Sequence, residues 1–321
     1  MSSGNPARLR WTTPDDHPAL LALFERAFGG QIEQALWAWK YPPGSQQSLL
    51  AEQNGVLVAH YGGMPRRMVG QGKSLNCLQI SDIMVDPQAR GVLTRNGVFA
   101  QIANAYTDAL TVPEGQYDFV YGFPSPRASK LGEMLGMYAP LDTLLQLSWP
   151  SQPTRPPGAA WRCSKPLALP ALAKAGDALW ARQQALSDTL LITVRDQAWL
   201  EQRYVQHPTH EYQALAKQCF WQRSPSAALV YRTHADALEI IDFVGQPSAY
   251  KGLVQDLCHQ AAHMEKSSVF VWLTSVVEPW LPPAQQRETL LPVNIAGSNK
   301  AQWQACFQGQ CWLTAGDTDY R

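Results

Sequence analysis

The stretch from Gln79 to Ala109 (QISDIMVDPQARGVLTRNGVFAQIANAYTDA) constrains this chain more than any other. Leu78 to Val85 alternates as a β-strand does, and Pro87 ends it. A tight polar turn holding Arg90 and Gly91 then leads straight into helical spacing from Thr94 to Leu110, with Val98, Ile102, Ala105 and Ala109 on one face. Such a strand-to-helix junction offers unpaired backbone N–H groups and the positive end of a helix dipole, which together can hold a pyrophosphate. Gly91 lets a phosphate approach the backbone, Arg90 and Arg95 add charge-assisted contacts, and Thr94 caps the helix. The charge of two arginines at a helix start opposes the dipole, so the turn reads as a site rather than as a bare surface loop.

Strand-like and helix-like segments alternate on both sides of this junction, which predicts an α/β or α+β layer architecture. Upstream, Thr13, Pro14 and Asp15 start a helix over Pro18 to Ala27, and Asn54-Gly55 joins strands at Leu49 to Glu52 and Val56 to Tyr61 as a hairpin. Downstream come a strand at Tyr117 to Phe123, a helix at Arg127 to Leu135 and a strand at Leu144 to Trp149. The proline-rich run Trp149 to Gly158 (WPSQPTRPPG) breaks the composition and predicts an extended connector. Domains are therefore expected at 1–150 and 176–321, with a linker at 151–175. In the second half, strands are predicted at Leu190 to Val194, Ala227 to Tyr231, Leu238 to Val244 and Val269 to Leu273, with a helix at Tyr250 to Met264. A faint echo pairs ALWAWKY at Ala35 to Tyr41 with AWLEQRY at Ala198 to Tyr204, at a corresponding place in each half, and favours duplication of one fold.

The 321 residues hold 26 basic and 26 acidic side chains, so no net field draws a polyanion, and nucleic acid is not an expected partner. No apolar run is long enough to span a bilayer and Met1 to Arg10 is polar, which predicts a cytoplasmic protein without a membrane partner. The six cysteines form no CxxC pair and no zinc spacing with histidine, so no metal is expected and the thiols read as reduced.

Gln88-Ala89-Arg90-Gly91-Val92-Leu93, following Val85-Asp86-Pro87, resembles the Gln/Arg-x-x-Gly-x-Gly/Ala signature of the GNAT superfamily, with Leu93 in place of the final small residue. Ala128 to Met137 (ASKLGEMLGM) resembles a second element of that family, Ala-x-x-Leu-Tyr-x-x-x-Gly-Phe, with Gly132 at the tyrosine. The resemblance covers Val56 to Trp149 and implies a GNAT-like mixed twisted sheet flanked by helices, built as two similar halves. It implies acetyl-CoA, or another acyl-CoA, as cofactor. Its diphosphate would lie on the backbone of Arg90, Gly91, Val92, Leu93, Thr94, Arg95 and Asn96. It further implies that the strand Ile80 to Val85 splays from its neighbour at Tyr117 to Phe123 and pairs with the pantetheine arm. Amides of Ile83, Met84 and Val85 would then polarise the thioester carbonyl.

An amine acceptor must lose a proton, and Asp82 on the same strand is the first choice of base, with His60 second. With Gly132 unable to donate, the departing thiolate would take its proton from Tyr121, Tyr138 or water. The implied activity is acyl transfer from CoA to a primary amine on a small molecule or other amine-bearing acceptor. The second half lacks the phosphate signature and is expected to wall the acceptor cleft. A non-catalytic acyl-CoA-binding scaffold of the same fold and a Fem-type aminoacyl transferase are the alternatives.

Overall fold

The computed structural model describes residues 7–42, 47–89, 97–111, 115–154, 164–218 and 224–319. In chain order the strands are β1 (Arg8–Trp11), β2 (Ser48–Gln53), β3 (Val56–Gly70), β4 (Lys73–Val85), β5 (Phe119–Gly122), β6 (Tyr138–Pro150), β7 (Ser164–Leu167), β8 (Leu191–Thr193), β9 (Gln213–Lys217), β10 (Ala227–Thr233), β11 (Ala237–Gly245), β12 (Ser268–Thr274), β13 (Gln286–Ala296) and β14 (Cys311–Trp312). The α-helices are α1 (His17–Phe28), α2 (Gln34–Lys40), α3 (Val98–Thr111), α4 (Pro126–Met134), α5 (Leu169–Lys174), α6 (Gly176–Gln183), α7 (Gln197–Leu200), α8 (Tyr250–His263) and α9 (Lys300–Phe307). This is the mixed α/β architecture that the alternation predicts.

Two compact units are built from interleaved segments. The first comprises Met1–Arg66, Leu75–Leu141 and Val293–Cys306, and the second Arg67–Ser74, Asp142–Pro292 and Phe307–Arg321. Residue 150, where composition places a boundary, lies within the second unit, and the expected linker 151–175 contains β7 and α5.

In unit one the order is β1-β2-β3-β4-β5, antiparallel in the pairs β1/β2 and β2/β3 and parallel between β4 and β5. Asn54 and Gly55 both have positive φ (52° and 77°), as a two-residue hairpin turn with right-handed strand twist requires. At the start of α1 the Thr13 N–H donates to the Asp16 carboxylate at 2.8 Å, and Gly29 at φ 75° ends the helix. Leu20 and Leu23, one helical turn apart, are buried in a core that also holds Trp37, Leu50 and Met84. Helix α3 buries Ile102, Ala103 and Tyr106 against Tyr61 and Leu78 of the sheet and Val120 of β5. β3 continues past Tyr61 with Gly62 and Gly63 inside it, and β4 begins at Lys73, ahead of the expected Leu78. A Cβ at 62 would meet the Tyr41 hydroxyl at 2.5 Å, and one at 63 would meet Leu78 at 2.7 Å.

In unit two the order is β6-β12-β11-β10-β9-β7, and β8 pairs with β14 and with Met68–Val69 of β3. Its core gathers Leu229, Phe243, Leu253, Leu257, Val271 and Trp312. A parallel strand pair with its first strand followed by a 3-10 turn and a 14-residue helix occurs in each unit: β4, β5 and α3 in the first, β11, β12 and α8 in the second.

Candidate active site

β4 and β5 pair only over Cys77–Gln79 and Phe119–Tyr121. β5 reaches Gly122, where a Cβ would still meet Ile80 at 3.2 Å, and its other edge pairs with Asn294–Ala296 of β13. β4 runs on through Val85 beyond the last residue in register with β5. Its terminal stretch thus lacks a β5 partner among the described residues, as the expected splay requires.

Within that stretch Asp82 has φ 48°, a left-handed conformation that distorts a strand and is uncommon for any residue with a side chain. Three groups hold it. The Lys40 ammonium contacts the two carboxylate oxygens at 3.0 and 2.9 Å, and the Tyr41 hydroxyl donates to Oδ2 at 2.9 Å. His60 Nδ1–H donates to the Asp82 carbonyl at 2.7 Å. The ion pair is buried, with side chains 4% and 8% exposed. Tyr41 also sits 2.7 Å from the Ser81 hydroxyl. Lys40 ends α2 and Tyr41 follows it, so one short helix delivers both groups to the kink.

His60 is wholly buried beside the rings of Trp37 and Tyr41. Burial is the main cause that lowers its pKa to about 4, with the Lys40 charge acting the same way against the bond to Asp82. The ring is therefore neutral at pH 7, with the hydrogen on Nδ1, and its Nε2 has no partner among the described residues. Tyr121 is also buried, its ring beside those of Phe119 and Phe123.

The second family-like element forms α4, whose Ser125 hydroxyl caps the Ala128 N–H. Gly132 is enclosed on this helix: a Cβ there would meet Tyr138 Cδ2 at 2.1 Å. The Tyr138 ring thus fills the space beside the position that resembles the family tyrosine. Its hydroxyl lies 3.3 Å from that of Tyr61, and burial raises its pKa, so the phenol keeps its proton at neutral pH.

At the far end of β4, the Asp86 N–H donates to the Val58 carbonyl, its carboxylate accepts from the Gln88 N–H at 2.9 Å, and Arg26 pairs with it at 2.7 Å. This fixes where the chain leaves the strand. The expected cradle, Arg90, Gly91, Val92, Leu93, Thr94, Arg95 and Asn96, lies outside the described residues, which resume at Gly97 before α3.

Lys40, Tyr41 and Ser81 are the partners that sequence reasoning passed over. The echo between Ala35–Tyr41 and Ala198–Tyr204 held the signal, because it aligns Tyr41 with Tyr204. The Tyr204 hydroxyl donates to Asp242 Oδ2 at 2.8 Å on β11, the strand in the place of β4. Arg195 is the cation there, 2.7 Å from Asp242 and 2.6 Å from Asp317, all three fully buried. Burial disfavours its charge, but the two carboxylates outweigh burial and raise its pKa. β11 and β12 pair over Ala237–Ile240 and Ser268–Val271, after which β12 turns to the chain's own last segment: Leu273 bridges to Thr314, and the Thr274 N–H donates to the Leu313 carbonyl. In unit two, the segment at Leu313 and Thr314 bonds to β12, the counterpart of β5, beyond its register with β11.

No helix among the described residues is long and apolar enough to cross a membrane, and no group of three or more metal-binding side chains occurs among them. Residues 8–132 match the family model of the acetyltransferase (GNAT) domain. No match is found among curated protein sequences. Solved structures with a similar fold include a conserved protein of Enterococcus faecalis named as a probable N-acyltransferase, at 13% identity and TM-score 0.69, covering 90% of this chain and 71% of that one. A GCN5-related N-acetyltransferase from Kribbella flavida matches at 14% identity and TM-score 0.68, over 90% of this chain and 70% of that one. Another from Anabaena variabilis matches at 12% identity and TM-score 0.65, over 90% and 72%. These identities establish likeness of fold. Residues 8–132 of this chain thus resemble a GNAT acetyltransferase domain, and the chain shares its fold with solved GNAT N-acetyltransferases.

Proposed function

We propose that the chain transfers an acyl group, acetyl in the first instance, from CoA to a primary amine by direct attack. The observation that carries this reading is β4 outrunning its register with β5, with a left-handed residue in the stretch beyond that register. An unpaired strand edge binds an extended amide chain by main-chain hydrogen bonds, and the pantetheine arm of CoA is such a chain. The amides of Ile83, Met84 and Val85 would meet the pantetheine and the thioester carbonyl, where negative charge develops in the transition state. The diphosphate would rest on residues 90–96, which precede α3 in the sequence.

In this proposal Asp82 and His60 have supporting roles. An ammonium and a phenol already engage the Asp82 carboxylate, and His60 Nε2 is sealed from solvent, so the proton of the amine passes to water. Tyr138 is the proton donor to the departing thiolate, and Tyr121 packs beside β4. A small-molecule amine and an amine on a larger acceptor are both compatible with this chemistry, as are acyl groups longer than acetyl. The test is a free-thiol assay of acetyl-CoA and longer acyl-CoAs against a panel of primary amines. Amine-dependent thiol release supports the reading; acetyl-CoA binding with no release from any amine points to a scaffold of the same fold.

A further inference from the structure

On the surface of unit two, far along α8 from its N-terminus, His259 and His263 stand one helical turn apart with their Nε2 atoms 3.0 Å from each other. The rings meet edge to face, with centroids 4.4 Å apart. The Gln152 backbone fixes the first ring: its N–H donates to the Cys258 carbonyl at 3.0 Å, and its carbonyl takes the His259 Nδ1–H at 3.1 Å. That bond sets the tautomer of His259 and leaves the Nε2 lone pair directed at His263. A backbone carbonyl on the far nitrogen is the usual outer partner of a metal-binding histidine, since it orients the ring and makes the ligand more basic.

We propose that His259 and His263 form a two-point site for a divalent first-row transition metal, with Cu²⁺ bound most tightly. Metal–imidazole bonds of about 2.0–2.1 Å meeting at a right angle place the nitrogens ~2.9 Å apart, and a tetrahedral angle would spread them to ~3.4 Å. The observed spacing fits adjacent corners of a square-planar or octahedral ion, the preference of Cu²⁺ and Ni²⁺ with nitrogen ligands. Without metal, His263 Nε2–H donates to His259 Nε2. When the ion binds, that hydrogen moves to His263 Nδ1, both Nε2 lone pairs meet the metal, and no proton need be lost. No third His, Cys, Asp or Glu completes the set among the described residues, so water, or a donor from another molecule, fills the remaining positions. His263 is exposed and near the C-terminal end of α8, where the helix dipole favours a cation.

Calorimetric titration of the full chain with CuCl₂ and with NiCl₂ tests the site, alongside the variants His259→Ala, His263→Ala and His207→Ala. The inference expects Cu²⁺ to bind more tightly than Ni²⁺. His259→Ala and His263→Ala should each weaken Cu²⁺ at least tenfold, His207→Ala should leave it unchanged, and the Cu²⁺ electron paramagnetic resonance spectrum should show coupling to two nitrogens. Undiminished binding in His263→Ala, or a spectrum without the paired nitrogen coupling, would overturn it. Both side chains are away from the core, so loss of fold does not confuse the result; circular dichroism of each variant verifies that.

Discussion

The Tyr41 hydroxyl donates to the Asp82 carboxylate at 2.9 Å, and this bond ties the end of a short helix to the one left-handed residue of β4. Tyr204 and Asp242 repeat the relationship at 2.8 Å in the second unit. In the first unit the strand beyond β4 and β5's common register is bare of a β5 partner. In the second, Leu313 and Thr314 bond to β12, the counterpart of β5, beyond its register with β11.

Lys40→Met removes the cation from a buried pair and leaves the Asp82 carboxylate with the Tyr41 hydroxyl alone. Breaking one side of a buried ion pair costs roughly 3–5 kcal/mol. Urea unfolding should show a loss of that order. The double variant Lys40→Met/Asp82→Asn should recover part of it, and additive losses would mean that the two groups are not coupled.

Asp82→Asn separates support from proton acceptance. If the carboxylate only holds the kink, the amide keeps the Tyr41 bond and turnover falls less than tenfold, with an unchanged pH profile. A fall of a hundredfold or more at neutral pH, with the acidic limb of the profile lost or displaced, would make Asp82 the base.

His60 supplies a pH dependence of stability. Its folded pKa of about 4 is below the unfolded value near 6.5, so between these values the unfolded chain binds the extra proton. Its contribution is therefore complete above about pH 6.5 and is lost as pH falls to 4, by roughly 3 kcal/mol for a group so fully buried. Denaturation curves of wild type and His60→Gln at pH 7 and pH 4.5 measure this. The variant should lose less stability between the two pH values than wild type does.

Tyr138→Phe removes the hydroxyl beside Gly132 with little change of shape. The proposed proton donor should reveal itself as a 10- to 100-fold fall in kcat with KM for acetyl-CoA nearly constant. Gly132→Ala, by contrast, drives a methyl into the Tyr138 ring and should destabilise by about 1–3 kcal/mol, read from thermal unfolding.

Local signals in the sequence were legible where local chemistry decides the structure. The helix start at Thr13 to Asp15 leads into α1, Asn54-Gly55 makes its hairpin, and α1 and α4 lie within one turn of their expected spans. What the sequence hid is non-local. The strand expected at Val56 to Tyr61 continues through Gly62 and Gly63, where Tyr41, Leu78 and Tyr106 leave no room for a Cβ. Residues 67–74 and 293–306 cross over between the units, and neither composition nor periodicity records such an exchange. Asp82 could be picked from its strand, yet its engagement by Lys40 and Tyr41, 42 and 41 positions away, could not. The weak echo between Ala35–Tyr41 and Ala198–Tyr204 was the only trace of that clamp.

Calorimetric titration of the wild-type chain and of Gly91→Trp with acetyl-CoA tests the central claim most directly. The wild type should bind one acetyl-CoA per chain, and Gly91→Trp should abolish that binding while its far-ultraviolet circular dichroism and unfolding midpoint stay as in wild type. No binding by the wild type, or binding that survives unchanged in Gly91→Trp, would contradict the account.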